Sequence, residues 1–256
     1  MTLPIAPTLR TAALTLAAVA ALGACAGADM QGLTQAGGNL FQAASLSDND
    51  VRTLSTQSCA QSDAKNQIAP AGSTYAKRLN GIVPTLQASG IPIDAKVYLT
   101  PDLNAWAMAN GCVRVYSGLM DKMSDDEVRA VLGHEIGHVA LGHSKRAMQV
   151  AYATQAARGA LSASGAGMVA TLSSSQLGEL SETFVNAQFS QSQEMAADDY
   201  SYDLLTRTKS NRRALVTAFQ KLAQLNGGKS AGLLSSHPGS QQRADRIAAK
   251  LGDSPR

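Results

Sequence analysis

Two of the chain's four histidines stand four residues apart with a glutamate between them, in His134-Glu135-Ile136-Gly137-His138. On an α-helix, residues four apart lie about 40° apart around the axis and one turn apart along it. His134 and His138 therefore project from one face, where two imidazoles can take two corners of a zinc tetrahedron. Glu135 stands beside them, near enough to reach a water on the metal. A metal makes such a water acidic, and a carboxylate can take its proton and later pass it to a leaving amine. The H-E-x-x-H pattern thus points to metal-assisted hydrolysis of an amide. At this composition it would arise by chance about once in 800 chains of this length.

A hydrolytic zinc needs a third protein ligand and one open position. His143 is nearest in sequence. It lies five residues past His138, about 140° around a continuing helix, so it is expected to point away from the pair and to play a structural or supporting part. Glu194 and Asp198, in Ser192-Gln193-Glu194-Met195-Ala196-Ala197-Asp198-Asp199, are again four apart. Glu194 can complete a set of two His and one Glu. Asp198 can accept a hydrogen bond from the outer nitrogen of a ligating imidazole and fix its tautomer. The spacing also suits a solvated acidic helix face. Met195, Ala196 and Ala197, however, form a small apolar setting that would bury a carboxylate, and a buried carboxylate needs a partner. His237 is held extended by Pro238. It could donate to an oxyanion, take the fourth metal position, or only pack its loop. Arg243 could position a carboxylate or a backbone carbonyl, or form a surface ion pair.

These residues need elements to place them. Ser124-Asp125-Asp126-Glu127 is a capping box, and the helix it opens is expected to run to about Val150. Its apolar residues Val128, Val131, Leu132, Ile136, Val139 and Leu141 would face a core. A long helix is expected from about Leu180 to Arg207, carrying Glu194 and Asp198, followed by one from Asn211 to Leu225. A loop from Gly227-Gly228 to His237-Pro238 leads to a short helix over about 241–251. Upstream, Ser47 with Asp48 and Asp50 opens a helix to about Asn66, Pro70-Ala71-Gly72 breaks the chain, and a second helix covers about 73–87. The period then changes to two: Ile93, Ala95, Val97 and Leu99 alternate with Asp94, Lys96 and Tyr98, which predicts a strand ended by Pro101. Asn104–Ala109 and Cys112–Tyr116 flank Asn110-Gly111 as a hairpin. Residues 151–178, rich in Ala, Gly and Ser, could form close-packed helices or a flap. The expectation is one α+β domain over 46–252, mostly helical, with a small sheet beside the site helix.

The first 24 residues read as a signal peptide: an early Arg10, then a short apolar run from Thr11 to Leu22, too short to span a bilayer. Leu22-Gly23-Ala24-Cys25 resembles the bacterial lipoprotein processing box, which implies cleavage before Cys25 and its acylation. Several acyl chains anchor stably where one binds reversibly. Ala26 after Cys25, rather than Asp, favours the outer membrane by the same resemblance. Residues 25–45 would be a flexible tether. With Cys25 acylated, Cys59 and Cys112 remain of the three cysteines, an even number in an oxidising compartment. A disulfide between them is expected, closing a loop of about 53 residues and stabilising by roughly 4 kcal/mol; two buried thiols are the other reading. The whole chain is 45% hydrophobic, 16% charged and 4% aromatic with a formal charge of +3. That excludes a disordered polyelectrolyte and gives no support for a nucleic-acid partner.

His134-Glu-Ile-Gly-His138-Val-Ala-Leu-Gly-His143 with Glu194-x-x-x-Asp198 resembles the gluzincin zinc metallopeptidase family of HtpX and the CAAX prenyl protease. Ser236-His237-Pro238 with Arg243 and Ile247 resembles that family's C-terminal motif, and the likeness runs from about Ser45 to Leu251. With a lipobox and no spanning helix, the chain is most similar to the outer-membrane lipoprotein members of the LoiP type. The resemblance implies a zincin-like fold and one Zn²⁺ per chain held by His134, His138 and Glu194, with Glu135 as base and acid. It also implies a substrate-aligning edge strand containing Asn104 and Ala105. Trp106 stands where the family usually has Phe, which leaves the neighbouring side-chain pocket open. The expected protein is a lipid-anchored endopeptidase of the periplasmic face, cutting unfolded or misassembled envelope proteins. The rival expectation is a zinc-binding module that assists the outer-membrane assembly machinery with little or no hydrolysis.

Overall fold

Ser47 and Ser73 begin the first two helices by the capping that their sequences imply. In the computed structural model, which describes residues 46–158, 172–225 and 233–252, α1 spans Asp48–Lys65 and α2 spans Thr74–Gln87. Ser47 and Asp50 close a capping box, satisfying two of the N–H groups that a helix start leaves bare. The signal segment, Cys25 and the tether lie outside the described residues.

Three strands follow: β1 Asp94–Tyr98, β2 Ala105–Ala107 and β3 Cys112–Tyr116. The sheet order is β1-β3-β2, with β1 parallel and β2 antiparallel to β3. Gly111, at φ 84°, makes the turn between β2 and β3. A side chain there would also strike the Pro92 carbonyl. The period of two sorts side chains onto two faces. Val97, Ala105, Ala107, Val113 and Val115 join the larger core with α2 and the site helix. Tyr98, Trp106, Met108 and Cys112 join a second core with α1 and two later helices.

The helical half then runs α3 Ser117–Lys122, α4 Asp125–Ala140, α5 His143–Ala157, α6 Ser174–Val185, α7 Gln191–Arg207, α8 Arg213–Leu225, α9 Leu233–Ser236 and α10 Ser240–Lys250. The expected helix over 124–150 is two helices. Gly142 takes φ 76°, a left-handed conformation that a residue without Cβ adopts freely, and α5 sets off in a new direction. The expected helix over 180–207 is also two. Asn186 ends α6, and Ser190 opens α7 with its own capping box to Gln193. Of the Ala, Gly and Ser-rich stretch, residues 151–157 belong to α5 and 174–178 to α6, while 159–171 lie outside the described residues. No described helix is long and apolar enough to cross a membrane.

Candidate metal centre

Helix α4 carries His134, Glu135 and His138 on a face so deeply packed that none is more than 3% exposed. That packing depends on two glycines, again four apart. A Cβ on Gly133 would lie 2.8 Å from Ser201 Oγ, and one on Gly137 would lie 2.9 Å from the Ala197 carbonyl. Their absence lets α7 close onto α4 and bring Glu194 and Asp198, both fully buried, against the histidines. Ser201 fixes the contact by donating to the Ala130 carbonyl at 2.8 Å.

His134 Nε2 lies 3.1 Å from His138 Nε2 and 3.2 Å from His237 Nδ1. Glu194 Oε1 is 3.0 Å from His237 Nδ1 and 3.4 Å from His138 Nε2, and Oε2 is 3.5 Å from His134 Nε2. Four donors thus converge within 4.8 Å of one another. Ligand atoms about 2.0–2.1 Å from a tetrahedral zinc lie about 3.3 Å apart, and the observed separations bracket that value. The charge balance agrees. With neutral imidazoles, the carboxylates of Glu135, Glu194 and Asp198 face the guanidinium of Arg243, while Arg246, 3.9 Å from Asp198, is held at 2.9 Å by Asp199; the excess of negative charge suits one divalent cation. Glu135 Oε1 is buried with no hydrogen-bond donor. The residues present fit one zinc ion.

The surrounding groups fix the rings. Asp198 Oδ1 accepts from His134 Nδ1 at 2.9 Å, which leaves the Nε2 lone pair turned inward. Arg243 holds Asp198 through Nε at 2.9 Å and Nη2 at 2.6 Å, and its Nη1 lies 2.6 Å from Glu194 Oε2 without an aligned hydrogen bond. The guanidinium also sits over the Phe219 ring at 4.1 Å. Because α4 stops at Gly142, His143 does not point away from the pair as a continuing helix would require. Its Nδ1 lies 3.0 Å from His138 Nδ1. Burial lowers the His143 pKa, so the neutral ring can accept from His138 and turn the His138 Nε2 lone pair inward.

Burial also pushes His138 down to about 2 and raises Glu135. Burial would lower His134, but Asp198 and Glu194 outweigh it and raise the ring to about 9. A cation among the donors would take the place of that proton. Burial would raise Glu194, yet the hydrogen bonds of His134, His138 and His237 hold it far below the ordinary carboxylate range.

His237 Nε2 lies 3.6 Å from Glu135 Oε1, so this ring stands between the base and the other three donors. Phe189, which sequence reasoning passed over, stacks on His138 with ring centroids 3.9 Å apart. With Phe184, Val185 and Ala187 it roofs a cleft floored by Ala105, Trp106, Ala107 and Glu135 that encloses only about 10 Å³. Asn104, Ala105 and Trp106 lie at the sheet's outer strand beside the cluster, all buried. The one sequence signal for the close α4–α7 approach was the glycine pair at 133 and 137. Nothing local marked Phe189. Away from this centre, Cys59 and Cys112 form a disulfide that ties α1 to β3.

Among known proteins, residues 75–251 match peptidase family M48. The chain is 51% identical over 245 residues to metalloprotease LoiP of Escherichia coli K12, covering 95% of this chain and 97% of the relative. It is 48% identical over 227 residues to metalloprotease YcaL of the same organism, covering 88% and 89%. A protease HtpX homologue from Nitrosomonas eutropha is 38% identical over 78 residues, covering 28% and 27%.

Proposed function

The chain belongs to peptidase family M48 and is a zinc-dependent metalloendopeptidase, and from that premise we propose a lipid-anchored protease that cuts unfolded or misassembled proteins at the periplasmic face of the bacterial outer membrane. The observation that carries the chemistry is the buried Glu135 Oε1, which has no hydrogen bond, beside the four converging donors. His134, His138 and Glu194 hold the zinc, which when bound supplies a Lewis acid for the scissile carbonyl and acidifies a water. Glu135 takes the proton of the attacking water and returns it to the leaving nitrogen. Asp198 and His143 keep the two imidazoles in the ligating tautomer, and Arg243 keeps Asp198 and Glu194 in place. Ala105 and its neighbours align the substrate main chain along the outer strand. His237 holds the place that the attacking water needs, so this is a closed state. His237 and the Phe184–Phe189 roof must withdraw before substrate enters. The lipobox at Leu22–Cys25 supports the anchor, and a disulfide suits an oxidising compartment.

Glu135→Gln is expected to retain one zinc per chain by elemental analysis and to lose about 10²–10⁴-fold in casein cleavage; undiminished cleavage would overturn the assignment. In the same assay His237→Ala is expected to cleave faster than the parent, whereas a loss with zinc retained would make His237 the oxyanion donor instead. Full rescue of a deletion strain by Glu135→Gln would favour the assembly-module reading. A Cys25→Ala protein that still sediments with membranes would refute the anchor.

A further inference from the structure

The hydrogen-bond phase of the small sheet decides which main-chain groups of β2 are available. Tyr116 N–H donates to the Asn104 carbonyl and Met108 N–H donates to the Cys112 carbonyl, both at 2.9 Å. Residues 104, 106 and 108 therefore bond to β3, and the main-chain groups of Ala105 and Ala107 point outward, away from the sheet. Two of these four outward groups are already used. Ala105 N–H donates to Asn104 Oδ1 at 2.9 Å, and the Ala107 carbonyl accepts from Ser144 Oγ at 2.9 Å. No described residue bonds the other two, the Ala105 carbonyl and the Ala107 N–H. Ala105, Ala107 and Ser144 line the same cleft as Glu135 and His237.

Ser144 is 1% exposed and is the second residue of α5, the helix redirected at Gly142. Resting on the assignment of β2 as the substrate strand, we propose that Ser144 is a positioning residue that ends the substrate ladder: with Asn104 at the other end, it restricts the grip to one substrate N–H on the Ala105 carbonyl and one substrate C=O on the Ala107 N–H. Buried main-chain groups without partners cost about 1–3 kcal/mol each, so both gain on meeting a substrate. Further strand pairing is blocked because the flanking groups already have side-chain partners. The substrate class that follows is any polypeptide with a short extended, unpaired stretch. A long preformed strand gains nothing over it, and no side-chain sequence is read by these two bonds.

The test is an ester scan of one cleavable peptide, in which single amides outside the scissile bond are replaced by esters that lack the N–H. With the zinc-loaded parent protein, an ester at one position is expected to lower kcat/KM about fivefold, through KM, and esters elsewhere to have little effect. Ser144→Ala frees the Ala107 carbonyl, so a second ester position becomes sensitive by a similar factor while zinc content is unchanged. Ser144→Thr, which keeps the hydroxyl, restores the single-position profile. A Ser144→Ala profile identical to the parent overturns the role of Ser144. A parent with no sensitive position, while its cleavage still depends on Glu135, shows instead that β2 does not bind the substrate main chain.

Discussion

The sheet separates two buried polar clusters of opposite character. Behind it, the guanidinium of Arg114 is wholly buried, yet Asp63 takes its Nε and Nη2 at 2.7 and 2.9 Å and Asp94 takes Nη2 at 2.9 Å. The Asp94 and Val113 carbonyls take Nη1. Lys96 and the Tyr98 hydroxyl complete Asp63 at 2.7 and 2.8 Å. Two cations face two carboxylates and the charge closes. The sulfurs of Cys59 and Cys112 beside them are spent in a disulfide. In front of the sheet, three imidazoles and an excess of carboxylate crowd one point, and Glu135 Oε1 finds no donor. The first cluster is complete as protein; the second is complete only with a divalent cation. Both are rich in potential ligands; the first reaches the surface through Asp94 and Lys96, whose side chains are 59% and 38% exposed, and the second is buried throughout, but residue type alone does not tell them apart. The balance of lone pairs and charge does.

That contrast can be broken by experiment. Glu194→Ala removes a ligand, so zinc binding should fall by more than the about 10–100-fold typical of losing a supporting residue, and cleavage should vanish while circular dichroism shows a folded chain. Retained zinc would erase the distinction. Arg114→Met should do the reverse. It takes the buried guanidinium from Asp63, which keeps Lys96 and Tyr98, and leaves the buried Val113 carbonyl without that donor, at a cost of about 1–3 kcal/mol in urea unfolding, but the surviving folded protein should bind one zinc and cleave as the parent does. A loss of zinc in folded Arg114→Met would join the two clusters into one unit.

A smaller effect sharpens the comparison through pH. Burial alone would raise Asp63, but hydrogen bonds from Arg114, Lys96 and Tyr98 outweigh it and lower the carboxyl from 3.8 to about 2. A depressed folded-state pKa contributes stability that is fully present above about pH 4 and is lost as pH falls towards 2. The shift corresponds to about 2 kcal/mol at most, reduced by solvent screening of a carboxylate at the edge of the core. The stability gap between the parent and Asp63→Asn should therefore narrow across that window, read by urea titrations at fixed pH. A gap constant from pH 7 to 2 would show that Asp63 carries no charge-linked stability.

Much of the centre was legible because it is local. Spacing of four on a helix fixes that His134 joins His138 and that Glu194 joins Asp198. Ser124 with Glu127 marks the start of the helix, alternation around Val97 marks the first strand, and Asn110-Gly111 marks the hairpin of the other two. The helix stop at Gly142 was not legible, since a glycine is tolerated in a helix and takes a left-handed turn only when the following segment packs elsewhere. His143 was misplaced for that reason. The break at Asn186–Ser190 escaped in the same way, and with it the Phe189 stacking on His138.

By itself the sequence determined a helix with two inward imidazoles and an adjacent carboxylate, a second helix with two acids on one face, and the pair of cysteines, because each depends on contacts within a turn or on simple counting. Only the tertiary structure decided that Glu194 and His237 meet the pair, that Arg114 is neutralised at home, and that Ser144 reaches the outer strand. Those contacts join residues 37 to 103 positions apart. Distances of that kind are set by how closely α4 and α7 pack at Gly133 and Gly137 and by where α5 turns, which no short stretch of sequence encodes.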